Sequence, residues 1–181
     1  MMKRLRRRIG PWLRTYLLLL AASFIMQYYW PGFGARSASE SDRVVRFDED
    51  PGARIPATAA AIELSILEWG EPGPEPPLML LHGSPGAATN FDKLAPLLAK
   101  DRRVIAVDLS GHGASTRLVG SYSLRSNADR IFALMDRMDI ERAHVLGFSY
   151  GGGVAMTMAD MAPDRLASLT LLGSIGIQEG E

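Results

Sequence analysis

The sequence predicts an α/β protein with a mostly parallel sheet, flanking helices and an N-terminal transmembrane helix. Three observations carry this. Short apolar runs of strand length alternate with stretches of helical spacing. Two strand candidates come first with no helix between them, which predicts an antiparallel edge. A basic block precedes an apolar run at the N-terminus, which is a targeting signature. The 181 residues are 47% hydrophobic and 22% charged, enough for one domain with a real core.

Charge and cysteine content exclude several classes of protein. Six of the 20 basic residues (Lys3, Arg4, Arg6, Arg7, Arg8 and Arg14) fall in residues 1–14, which hold no acid. The rest carries 14 basic and 20 acidic residues, a net charge of −6, and such a body is a poor nucleic-acid surface. There is no cysteine, so disulfides, thiolate zinc sites and thiol nucleophiles are excluded.

Residues 1–33 form the first segment. The apolar run 16–26 is short for a spanning helix, which needs roughly 17–25 residues. Counted from Trp12 to Phe33 it is long enough, with Arg14 reaching toward the headgroups. Trp12 and Tyr16 at one end, and Tyr28, Tyr29 and Trp30 at the other, have the placement of interfacial anchors. The expectation is a single-pass signal anchor with a cytoplasmic N-terminus and an exported (periplasmic or extracellular) domain, in the membrane through residues 12–33. A cleaved signal, giving a secreted body, and a buried or interfacial helix are the alternatives.

Residues 34–43 are small and polar and read as a linker. The body, 44–181, opens with strands at 44–47 and 60–69, separated by a Pro/Gly-rich turn. Four prolines in residues 70–77 forbid helix and ladder there. The continuous run Leu78-Met79-Leu80-Leu81 fits a strand buried on both faces. A helix is expected next, capped by Asn90, with Asp92 in its first turn and Phe91, Leu94, Leu97 and Leu98 as its apolar stripe. A strand at 103–107 follows. Ser123 caps a helix whose stripe is Ala128, Ile131, Leu134, Met135 and Met138. Strand 143–147, helix 150–161 and strand 166–172 complete the series.

Three strand-to-loop junctions hold the chemistry, and in a parallel sheet such junctions share one edge. The sharpest is Gly147-Phe148-Ser149-Tyr150-Gly151. A G-x-S-x-G between strand and helix makes a tight turn that lifts the serine out of the sheet, with Gly147 and Gly151 sparing a collision. Alone, the pattern fits a plain glycine-rich turn equally well. The first junction, His82-Gly83-Ser84-Pro85-Gly86, adds weight, because it has the form of a loop that supplies an oxyanion donor, here the Ser84 N–H. The second is Asp108-Leu109-Ser110-Gly111-His112-Gly113-Ala114-Ser115, where Asp108 reads as a turn-stabilising acceptor.

Together these pieces resemble the N-terminal part of the α/β-hydrolase superfamily, over residues 44–181. The resemblance implies a Ser-acid-His triad and hydrolysis of an ester, amide, thioester or similar acyl bond in a small-molecule substrate. Ser149 would be the nucleophile, and the N–H groups of Ser84 and Tyr150 would hold the oxyanion. His82, Gly83, Gly147 and Gly151 would support the loop and the elbow. No metal or organic cofactor is implied. Serine at 149 departs from the haloalkane dehalogenases and epoxide hydrolases, which use aspartate there. Proline iminopeptidases share a similar His-Gly-x-Pro-Gly loop, so peptide substrates stay open.

The family's acid and histidine follow the nucleophile helix, and no histidine follows His144. All three histidines precede the nucleophile, so none reads as the general base: His82 reads as structural, His112 as fixing its loop or facing solvent, and His144 as a packed strand residue. Asp160 and Asp164 read as capping or solvating the nucleophile helix, and Glu179 and Glu181 lie near the terminus. The triad is therefore incomplete in these residues. The expectation is a fragment of a longer enzyme that lacks its C-terminal strands; the alternative is a non-catalytic membrane-tethered interaction domain. A nucleotide-binding domain is disfavoured, because no Gly-Lys-Ser/Thr follows the glycines. Protein partners are not indicated.

Overall fold

A six-stranded sheet with strand order β1-β2-β4-β3-β5-β6 organises the chain. The computed structural model describes residues 41–53 and 60–176. All belong to residues 36–181, the second of the two units into which contacts divide the chain. The expected anchor at 1–33 lies outside the described residues. Among the described residues, no helix is long and apolar enough to cross a membrane.

The antiparallel edge is present. β1 (Ser41–Phe47) pairs with β2 (Ile62–Trp69), which also runs antiparallel to β4 (Val104–Val107). The linker is shorter than the sequence predicted, because residues 41–43 belong to β1. Backbone pairing needs no apolar side chain, and an edge strand tolerates polar residues. Arg43 adds an ion pair across to Glu68 at 3.8 Å.

From β3 onward the sheet is parallel. β3 (Leu78–Leu81) pairs with β4 on one side and β5 (Ala143–Phe148) on the other. β5 pairs in turn with β6 (Leu166–Leu172). Successive connections therefore leave β3 in opposite directions, and its carboxyl end is a switch point where an open α/β sheet forms a crevice.

Side-chain alternation sends each central strand into two cores. Met79, Leu81, Ile105, Val107 and Val145 pack with helices α2 (Leu124–Arg137) and α3 (Tyr150–Met161). Leu80, Val104, Ala106 and Leu146 pack on the other face with Ala88, Phe91 and Ala95. Burial on both faces explains why β3 and β4 read as unbroken apolar runs.

The helix expected after β3 is not continuous. A 3₁₀ turn (Ala88–Phe91) and the single-turn α1 (Ala95–Leu98) replace it. Pro96 has no N–H and its ring would clash with the carbonyl four residues back, so it tolerates only a helix that starts beside it. Asn90 lies inside the 3₁₀ turn, where its Oδ1 accepts the Ala87 N–H at 2.6 Å. Of the expected stripe, Phe91, Leu94 and Leu98 still pack on the core, while Leu97 is 64% exposed. α2, by contrast, forms as its spacing predicts. Ser123 accepts the Ser126 N–H at 3.1 Å as its cap, and Ala128, Ile131, Leu134, Met135 and Met138 are buried.

α2 also carries a buried ion pair. Arg130 Nε and Nη2 donate to the two oxygens of Asp50 at 2.7 and 2.6 Å, and both residues are buried. This two-pronged bond ties the turn after β1 to α2.

Candidate active site

Ser149 sits where β5 ends and α3 begins, with φ 51° and ψ −113°. A side chain other than glycine at positive φ is strained by about 1–3 kcal/mol. A serine at this position ordinarily turns inward and accepts a helix N–H. Here its side chain makes no cap bond, so Oγ is not spent on the helix. Tyr150 is the first helical residue, and the N–H at that position has no acceptor inside its own helix.

The elbow needs its glycines because backbones meet there. A Cβ at Gly151 would lie 2.2 Å from the Leu81 carbonyl oxygen and 2.5 Å from that of His82. The end of β3 thus presses directly on the first turn of α3. One at Gly147 would lie 2.5 Å from the carbonyl oxygen of Gly151. The same closeness brings Gly83 to the serine, since a Cβ there would be 3.0 Å from the Ser149 Cβ.

Two further backbone bonds hold the serine. Its N–H donates to the Leu172 carbonyl at 3.0 Å, and its own carbonyl accepts the Ile175 N–H at 3.1 Å. The return after β6, residues 172–175, therefore grips the strained residue from both ends. No side-chain pattern announces this grip, and sequence reasoning missed it.

On the opposite flank the contacts run through side chains. His82 is fully buried between the first two junctions. Its Nε2 accepts the Leu109 N–H at 3.0 Å, so Nδ1 carries the proton and donates to the Gly83 carbonyl at 2.7 Å. Burial, aided by the nearby His112, lowers its pKa from 6.5 to about 4, against the opposing pull of the Gly83 carbonyl and Asp108. Neutral His82 thereby fixes the carbonyl of the Gly83–Ser84 peptide. The N–H of that peptide, on Ser84, points the opposite way, as in any trans peptide.

Asp108 joins the same loops. Its carboxylate accepts the Ala88 N–H at 2.7 Å and the Ala114 N–H at 2.9 Å, and its carbonyl accepts the Ser115 hydroxyl at 2.6 Å. His112 bridges the rim. Its Nδ1 donates to the Ser110 carbonyl, and its Nε2 lies 3.2 Å from Ser84 Oγ. Its ring stands 5.0 Å edge-on from His82 and 6.5 Å from Tyr150. Ser84 and Tyr150 therefore both lie near the His112 imidazole. His144 lies apart in β5, with Nδ1 2.7 Å from Ser168 Oγ. Each of the chain's three histidines thus has a partner other than Ser149.

Ser149 lies half-buried at an open edge of the sheet. Two hollows elsewhere do not include it. One of about 120 Å³ lies beside Arg46, Glu63 and Thr116, and one of about 280 Å³ beside Leu78, Leu97 and Arg102.

A three-junction edge with an uncapped, strained serine is the layout of a hydrolase elbow. The chain belongs to the α/β hydrolase fold family, whose model matches residues 76–179. It is 43% identical over 116 residues to the dihydrolipoyllysine-residue acetyltransferase component of the acetoin cleaving system of Pseudomonas putida, covering 63% of this chain and 31% of that protein. It is 42% identical over 105 residues to 2-hydroxymuconate semialdehyde hydrolase of Pseudomonas sp. (strain CF600), covering 56% of this chain and 37% of that one. Among solved structures, a membrane phospholipase A described as a bacterial virulence factor matches with a TM-score of 0.70 and 26% identity, covering 94% of this chain and 54% of that one. The chain thus spans between about a third and a half of these proteins.

Proposed function

We propose that the chain carries the nucleophile and oxyanion site of a serine hydrolase acting on an ester, amide or related acyl bond. The observation that carries this is Ser149 itself: strained, uncapped and gripped on both sides at the switch point of the sheet. Ser149 Oγ attacks the acyl carbon, and the N–H groups of Ser84 and Tyr150 stabilise the oxyanion. Water then releases the acyl group. His82, through Gly83, holds the Ser84 peptide, and Gly147 and Gly151 let the elbow close.

All three histidines are engaged elsewhere, so the general base and its acid partner come from sequence beyond residue 181 in this reading. The greater length of the relatives supports it. A fluorophosphonate probe applied to the full-length gene product should label Ser149. Ser149→Ala should lower turnover by about 10⁴ or more. Labelling that persists in the alanine variant overturns the assignment.

A membrane tether is the second half of the proposal. The basic block and the apolar run 12–33 support it, as does the likeness to a protein described as a membrane phospholipase A. Carbonate washing should leave the full chain in the membrane fraction and release a variant lacking residues 1–33. Release of the full chain counts against the tether.

The same engagement of the histidines motivates one other reading, a non-catalytic interaction domain on this fold. Absence of probe labelling in the full-length product, with the fold intact, favours it.

A further inference from the structure

We infer that Asn127 is a positioning residue for the oxyanion donor, acting through the phenol of Tyr150. This rests on the acyl-hydrolase reading above. Asn127 is buried in the first turn of α2, 23 residues before Tyr150 in sequence. Its Nδ2 donates to Tyr150 Oη at 3.0 Å. The same Nδ2 lies 3.3 Å from the Tyr122 carbonyl and 3.2 Å from that of Ser123. Tyr150 Oη donates in turn to the Tyr122 carbonyl. The phenol therefore spends its proton on one partner and a lone pair on the other. It is held as a strut and is not free to shuttle protons.

The anchor of this strut is itself fixed. Arg130 Nη1 donates to the Ser121 carbonyl at 2.8 Å while its other nitrogens grip Asp50. A continuous path thus runs from the buried Asp50–Arg130 pair through residues 121–123 to the ring of Tyr150. Tyr150 follows the nucleophile directly, and its N–H is the proposed oxyanion donor. Holding the ring fixes the direction of that N–H, which matters because a donor must meet the developing charge and not the resting carbonyl. Burial raises the phenol above its ordinary range, with Asn127 and Arg130 opposing, which places both in its surroundings.

A fluorophosphonate ester tests this on the full-length protein, because its inactivation kinetics separate binding (KI) from bond formation (kinact). Tyr150→Phe removes only the hydroxyl. Asn127→Asp keeps the shape of the side chain but removes its donor. Each should lower kinact by about tenfold and leave KI within about twofold. The double variant should be no slower than either single one, since both break the same strut. Far-UV circular dichroism and Tm of Tyr150→Phe check that the fold is kept. Additive effects, a change in KI alone, or a wild-type kinact in Asn127→Asp overturns the proposal while the hydrolase reading stands. Wild-type protein that fails to react at Ser149 overturns both.

Discussion

The two flanks of Ser149 are built in two different ways. On the β3–β4 side, side chains do the holding: His82, Asp108 and His112 lace two loops together with bonds of 2.7–3.2 Å. On the β6 side, the backbone does it, through Leu172 and Ile175. The first kind of clamp is fixed by residue identity and can be removed by substitution. The second depends on where the chain passes and is nearly blind to side chains.

Four predictions test that contrast. The largest effect should come from Gly151→Ala, where the new methyl meets two backbone carbonyls that cannot move aside. Overpacking against backbone that cannot yield sits at the upper end of such costs, about 3 kcal/mol or more, and displacing the elbow should also silence probe labelling at Ser149. Labelling at the wild-type rate would show that the contact with β3 does not shape the site.

Asp108→Ala should follow. It leaves the buried amide of Ala88 and the part-buried amide of Ala114 without their shared acceptor, a loss of about 1–3 kcal/mol read by urea unfolding at neutral pH. A loss below about 1 kcal/mol would mean that water replaces the carboxylate.

His82 makes the side-chain clamp sensitive to acid. Its folded pKa, about 4, lies below the unfolded 6.5, so between these values the unfolded chain binds more protons. Its contribution should be whole above pH 6.5 and decline as pH falls, reaching a loss of about 3 kcal/mol near pH 4. His82→Gln should flatten that part of the stability profile. An unchanged slope would place the titration on other groups.

The backbone clamp should give the smallest response to side-chain change. Ile175→Ala should cost under about 1 kcal/mol, because the side chain is 43% exposed. Ile175→Pro removes the N–H that reaches Ser149 and should slow probe reaction by about tenfold. Equal behaviour of the two variants would show that the side chain, not the amide, carries the contact.

Most strands and the two long helices were legible because local rules act on them without competition. β3, α3 and β6 fall at the ends their patterns predict, and Ser123 caps α2. Local rules failed in two places. Pro96 broke up the helix expected after β3, and pairing with β2 drew polar residues 41–43 into β1.

At the candidate site the division is sharper. The sequence by itself determined the three junctions and the position of Ser149 in a glycine-bounded turn, because tight turns and close backbone approaches restrict which residues can stand there. Only the tertiary structure decided what surrounds the serine. The grip of Leu172 and Ile175, the Asn127–Tyr150 strut and the Asp50–Arg130 pair join residues 23 to 80 positions apart. Two of these contacts use backbone atoms that every residue possesses, and the others use polar side chains whose partners the spacing along the chain does not name. Their pairing is set by how the strands and helices stack, which is why it became visible only in the fold.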